Sequence, residues 1–394
     1  MKIAILTSGI LPVPSVLGGA VENLIDIYLM YNEEHHLHDI TIYSVDNKLI
    51  HSHPFLPSKV NHYYYIDVNS FWAKIKRKIY SYHKKKNIPY NHYIGYFFEQ
   101  SLRHIKKEKY DIILLENRPG YALRLVDETR AKLVYHLHND LLSINTPDYE
   151  QIYNAANTII TVSDYISNKV KTINCKDSKC ITVYNGIDIE SFSSSTNLNI
   201  NRHQIGFSDN DFIVVYSGRI NKEKGISELI DALLLLQNYP QIKLLVIGST
   251  FFGDAISDND FTRSLKEKTN NLKDRIFFTG FVPYREISSY LRIADISVLP
   301  SMWEEPFGLT ILESMAAGIP LITTNSGGIP EVCGDTALII ERDDVSSKIA
   351  DAILFLYNNP QKRQMMTQAA LCRSRLFSKE KFAERFFSAL ISNL

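Results

Sequence analysis

Two carboxylates, Glu305 and Glu313, bracket a short apolar turn in the stretch EEPFGLTILESMAAGIP (304–320). The turn Phe307-Gly308-Leu309-Thr310 has the pattern of a helix start, and Gly318 followed by Pro320 supplies the stop. Glycine lets a ligand approach the backbone closely, and the first amides of a helix have no partner inside it. Such amides, aided by the helix dipole, hold phosphate. Acidic side chains flanking an anion site need a different role, and carboxylates accept hydrogen bonds from hydroxyls. Glu305 lies just before the helix, and Glu313 lies ~7 Å along its axis at 1.5 Å per residue. A ligand with a central diphosphate and a hydroxylated ring at each end, such as a sugar nucleotide, fits that layout. A glycosidase pair would face each other across the bond they cut, whereas these carboxylates follow one ligand along one helix.

Two further segments can hold anions. In SGRINKEKG (217–225) a strand runs into Gly218, and Arg219 and Lys224 flank the loop that follows. Arginine presents several donors to phosphate oxygens and lysine adds a mobile point charge; without the rest, the two would read as exposed loop cations. NSGGIPEV (325–332) pairs two glycines with a proline-started helix, and SGILPVPSVLGGAVENLI (8–25) places Gly18 and Gly19 before another. His136 and His138 alternate in KLVYHLH (132–138), so both face one side of a strand. By themselves they read as packed, hydrogen-bonded histidines. No acidic or cysteine constellation near HHLHD (35–39) or HSH (51–53) completes a metal site, and no metal is expected.

The elements that must position these residues alternate in type. KIAILT, DITIYSV, DIILLE, KLVYHLH and TIITVS read as buried strands of the first half, and FIVVYSG, KLLVIGS, IFFTGF, ISVLPS and PLITTN of the second. Between them run helical patterns such as ISELIDALLLLQ (226–237). Unbroken apolar strands alternating with helices imply parallel sheets covered on both faces. Right-handed crossovers make these doubly wound, with ligands at the carboxyl ends of the strands. At 394 residues the chain exceeds one ordinary core. The Ser- and Asn-rich ESFSSSTNLNINRHQ marks the linker, giving domains over 1–195 and 196–375 and a final amphipathic helix within 376–394.

Composition excludes little beyond a membrane-spanning chain. Lys and Arg total 43 and Asp and Glu 43, so the zero net charge argues neither for nor against nucleic acid. The four scattered cysteines read as ordinary thiols of a reducing compartment. The N-terminal MKIAILTSGILPVP reads as a first strand rather than a signal peptide, and no run reaches the ~18–20 apolar residues of a membrane helix. A cytoplasmic protein is therefore expected. Residues 70–110 carry eleven Lys and Arg against two acids, among them KIKRK (74–78) and KKK (84–86), interleaved with aromatics. Such a segment is a solvated helix face or loop, a contact with an anionic membrane surface (the inner face of the cell membrane) or a lipid diphosphate, or a nucleic-acid contact.

The motifs together resemble a family-4 retaining glycosyltransferase of the GT-B architecture, two Rossmann-like domains facing a central cleft. The resemblance rests on GGAVE (18–22), TVSDYI (161–166), VYNGID (183–188), GRINKEKG (218–225), TGFVPYREISSYLRIADISVLPS (279–301) and EPFGLTILESMAAGIPLITTNSGGIPEV (305–332), in the family's order across nearly the whole chain. It implies transfer from a nucleoside diphosphate sugar, UDP ahead of GDP, to a glycan or lipid-linked acceptor read by the N-terminal domain. No cofactor, metal or nucleic acid is implied. Arg219 and Lys224 match the pair that stabilises the leaving diphosphate, Glu305 the carboxylate on the donor sugar, and Glu313 the one on the ribose. The Phe307–Thr310 backbone, with Gly218, matches the phosphate cradle, and Phe281 and Val282 the wall against the base. Gly18 and Gly19 match the loop that closes over the donor, and His138 a histidine placed beside the anomeric carbon. The same fold also hosts nucleotide-sugar epimerases and non-catalytic binding modules, which remain the alternatives.

Overall fold

The computed structural model describes residues 1–52, 58–82, 90–193, 200–248, 260–272 and 274–392. The lysine run at 84–86, His53 and the centre of the expected linker, 194–199, lie outside the described residues. Packing divides the chain into two units, Met1–Gly186 with Lys379–Leu394, and Ile187–Ser378.

The first unit holds β1 (Lys2–Leu6), β2 (Asp39–Val45), β3 (Asn61–Ile66), β4 (Ile112–Glu116), β5 (Lys132–Leu137), β6 (Thr158–Thr161) and β7 (Cys180–Thr182). They form one sheet in the order β3-β2-β1-β4-β5-β6-β7. Every pairing is parallel. The second unit holds β8 (Phe212–Ser217), β9 (Ile242–Ile247), β10 (Ile276–Phe278), β11 (Ile296–Leu299), β12 (Leu321–Thr324) and β13 (Leu338–Ile340). Their order is β10-β9-β8-β11-β12-β13, again all parallel.

Both units are doubly wound because their interior strands have no polar face to turn to water. β4, β8, β11 and β12 are buried along their whole lengths, so each needs helices on both sides. The strand order reverses between β1 and β4 in the first sheet and between β8 and β11 in the second, and such switch points open a crevice at the carboxyl ends of the strands.

The division at Gly186/Ile187 falls before the expected boundary at 195/196. The Ile187 amide donates to the Phe377 carbonyl at 3.0 Å, and Ile187 forms an isolated parallel bridge with Ser378. This pairing draws the chain after Gly186 into the second unit. The last helix, Lys379–Ile391, buries Phe382, Phe386, Phe387 and Leu390 in the first unit, where Phe386 stacks on Tyr28 of the helix Ala20–His35 at 4.2 Å between ring centroids.

Candidate active site

In the second unit, the loops after β8 and β11 rise side by side at the switch point, because β8 and β11 are hydrogen-bonded neighbours. Gly218 ends β8, and Arg219 beyond it is exposed, its carbonyl taking the Tyr216 hydroxyl at 2.8 Å. Asn221 caps the turn Lys222–Lys224 by accepting from the Lys224 amide at 3.1 Å. That cap fixes where the Lys224 side chain leaves the backbone.

After β11, residues 300–308 form the loop that carries Glu305. Its carboxylate, only 9% exposed, takes an ion pair from Lys224 Nζ and a 3.0 Å hydrogen bond from Ser301 Oγ on the same oxygen, Oε1. Lys224 also lies 5.7 Å from the Trp303 ring. The loop is held by the third glycine-bearing segment: Gly328 N donates to the Glu305 carbonyl at 2.7 Å, and Gly327 N to Glu304 Oε2 at 2.6 Å. At Gly327, φ is +55° and a Cβ would stand 2.2 Å from the Glu305 carbonyl oxygen, so no larger residue fits beside the loop.

The helix Leu309–Ala316 starts from Gly308, which adopts φ 96°, and no side chain caps it. The backbone of Leu309 and Thr310 therefore opens the helix beside the buried Phe307. Glu313, the fifth residue of that helix, is buried and makes no bond to Glu305; the Tyr284 hydroxyl hydrogen-bonds it instead. Burial pushes the Glu313 carboxyl up to about 7, only partly offset by that bond. Phe281 and Val282 precede the helix Tyr284–Leu291, Phe281 exposed and Val282 buried.

The remaining sequence candidates belong to the first unit. Gly18 and Gly19 lead into the helix Ala20–His35, with Gly19 its N-cap. His138 follows β5, and its Nε2 lies 2.7 Å from Glu116 Oε2. His136 Nδ1 lies 3.1 Å from Oε1 of the same carboxylate. Ligand atoms of Glu116, His136 and His138 all lie within 4.8 Å of one another, a grouping outside the histidine runs read in the sequence. Runs such as HHLHD missed it because its members come from two neighbouring strands.

Of the residues singled out in the sequence, the structure brings Lys224 to Glu305 and holds their loop with the glycines of NSGGIPEV; Ser301, Tyr284 and Glu116 were not singled out. Ser301 and Tyr284 stand inside quoted motifs, yet nothing local ties them to their carboxylates. Glu116 had one signal, a charge ending the wholly apolar strand DIILLE.

Comparison with known proteins agrees in both halves. The family model described as Glycosyltransferase Family 4 matches residues 47–191, and that of Glycosyl transferases group 1 matches residues 199–372. The Bacillus subtilis protein YtcC is 29% identical over 385 residues, 94% of this chain and 86% of its own. The capsular polysaccharide biosynthesis glycosyltransferase CapM of Staphylococcus aureus is 32% identical over 223 residues, 53% of this chain and 54% of its own. The crystal structure of Anabaena HepE in complex with UDP and glucose aligns over 100% of both chains with a TM-score of 0.73 at 21% identity.

Proposed function

The chain is a glycosyltransferase of the two-domain family 4 type, and from that premise we infer that it moves a sugar from a UDP-sugar to a hydroxyl of a glycan or lipid-linked acceptor in surface-polysaccharide synthesis. The observation that carries this reading is the constellation at the β8/β11 switch point: Arg219, the Lys224–Glu305 ion pair, an uncapped helix start and the buried Glu313. The diphosphate occupies the helix start, with Arg219 and Lys224 on its oxygens. As the glycosidic bond breaks, negative charge grows on the departing phosphate, and cations and amides already in place stabilise it without reorganising. Without donor, Lys224 neutralises Glu305; with donor, the lysine turns to phosphate and the carboxylate is freed for sugar hydroxyls. Glu313 takes the ribose hydroxyls, and Phe281 and Val282 line the base. His138 serves the transferred sugar, and Gly18 and Gly19 the loop over the donor.

UDP as the nucleotude carrier is supported by the ligand named for HepE, and surface polysaccharide by the name of CapM. Retention of configuration is the family's outcome. No metal or other cofactor enters the reading, because cations and helix amides suffice for the diphosphate. We further assign a peripheral contact with an anionic cytoplasmic membrane surface to the helix Phe71–Tyr82. Its exposed face carries Phe71, Trp72, Ile75 and Ile79. At 100° per residue these four span one arc of about 100°, with Lys74 and Lys78 on one flank and Lys76 on the other.

The experiment is a panel of nucleotide sugars incubated with and without acceptor glycans, followed by release of free nucleoside diphosphate. Acceptor-dependent release from a UDP-sugar is expected. Fast epimer formation from the donor alone would identify an isomerase instead.

A further inference from the structure

The carboxyl ends of β4 and β5 hold a buried network of which the transfer reading uses only His138. Glu116 and His136 are register partners on the two strands and are both 0% exposed. The carboxylate of Glu116 divides its oxygens. Oε1 receives the Tyr28 hydroxyl at 2.9 Å and faces His136 Nδ1 at 3.1 Å, while Oε2 faces His138 Nε2 at 2.7 Å. Burial alone would raise the Glu116 carboxyl, but the charge and hydrogen bonds of His136, then of His138, leave it well below the usual carboxylate range. It is therefore ionised, and an ionised carboxylate only accepts.

Each neighbour must then donate. His136 donates from Nδ1, and its buried Nε2 has no hydrogen-bond partner. His138 carries its proton on Nε2, leaving Nδ1 as a lone pair. Burial first, and the adjacent His136 second, hold the His138 ring down to about 4 against the pull of Glu116, so it takes no second proton at neutral pH. Unlike His136, His138 keeps 6% of its side chain exposed. The helix Ala20–His35 brings two further acids to the network: Glu22, which feels the charge of Glu116, and Asp26, which acts on both Glu22 and Tyr28. Behind it stands the C-terminal helix, whose Phe386 stacks on Tyr28 and lies 5.1 Å from the His136 ring.

We propose that Glu116 is a positioning residue that locks His138 in the Nε2–H tautomer, so that Nδ1 faces the substrate as a hydrogen-bond acceptor for a hydroxyl, with Tyr28 and the C-terminal helix as its back wall. A lone pair beside a buried carboxylate favours a neutral hydroxyl over a phosphate oxygen. The proposal rests on the placement of His138 beside the transferred sugar.

The test combines imidazole nitrogen NMR on histidine-labelled protein with steady-state kinetics of Glu116→Gln, Tyr28→Phe and His138→Ala. A glutamine offers one carbonyl and an amide that donates, so it cannot accept from both rings. In wild type the His138 nitrogens should show Nε2–H alone. In Glu116→Gln they should show a mixed or reversed tautomer, with kcat down about 10–100-fold and donor KM nearly constant. Adding Glu116→Gln to His138→Ala should cost nothing further, because Glu116 acts only through that ring. An unchanged tautomer and kcat in Glu116→Gln would overturn the proposal, as would one equivalent of zinc held tightly by wild type and lost in that variant. Should Glu116→Gln fail to fold, Tyr28→Phe removes one donor only, and an unaltered His138 signal and kcat there would count against the network. Full activity in His138→Ala, with the tautomer shift intact, would instead overturn the placement of His138.

Discussion

Glu305 and Glu313 have the same charge and opposite circumstances. Glu305 is paired with Lys224, whereas Glu313 is buried with a single tyrosine hydroxyl, and burial raises its carboxyl to about 7. An unfolded glutamate ionises near its model value of 4.5, so Glu313 costs no stability below that pH. The cost accrues as pH rises towards 7 and is complete above it, up to about 3 kcal/mol. Glu313→Gln, which never ionises, should therefore raise the unliganded melting temperature at pH 8 more than at pH 5, while weakening nucleotide binding. Thermal melts at the two pH values with and without UDP check both signs. Lys224→Ala should lower kcat by about 100–1,000-fold, the usual loss for one preorganised transition-state contact. Of these residues, the glutamates and lysine stood out in the sequence by their types and spacing around a glycine-opened helix start. Tyr284, Ser301 and Glu116 were not, because their partners are set by packing between segments distant in sequence.

The loop and helix elements determine whether those side chains meet. Gly327 packs on the Glu305 backbone, and Gly327→Ala should push the 300–308 loop outward. The expected outcome is lower stability of the C-terminal unit and a weaker response to UDP, read by thermal shift. In the first unit, Phe386→Ala removes the ring stacked on Tyr28 and should cost about 3–5 kcal/mol, the usual penalty for emptying an aromatic site in a core. Urea unfolding monitored by tyrosine fluorescence would measure it. The strands show why legibility was uneven. β4, β8 and β11 announce themselves as unbroken apolar runs because both faces are covered. β3, β7 and β13, which the sequence reading passed over, all stand at sheet edges. β3 alternates with exposed His62 and Tyr64, and β7 and β13 are three half-buried residues each, too short for a pattern.

On the scale of the molecule, the two doubly wound units were readable from strand–helix alternation, but their border was not. The Ser- and Asn-rich tract looked like a linker by composition, yet the division is set by Ile187 meeting Phe377 and Ser378 at the far end of the second unit. Pairings of such sequence separation leave no local trace. Among the described residues no helix is long and apolar enough to cross a membrane, and the membrane contact proposed above is a peripheral one. Through the helix Phe71–Tyr82, the protein should sediment with vesicles containing anionic lipid, lose binding as salt screens the lysines, and lose it again in Phe71→Ser/Trp72→Ser. No sedimentation at low salt would remove the membrane assignment while leaving transfer untouched.

The central claim is that a nucleoside diphosphate sugar is bound and split at the β8/β11 switch point. Its most direct test is calorimetric titration of UDP into wild type, Lys224→Ala and Arg219→Ala, with turnover of the best UDP-sugar measured on the same samples. Binding to wild type is predicted, weakened at least tenfold in each variant, with turnover falling further than affinity because the cations act most on the departing phosphate. Equal UDP affinity and equal turnover in all three proteins would contradict the account.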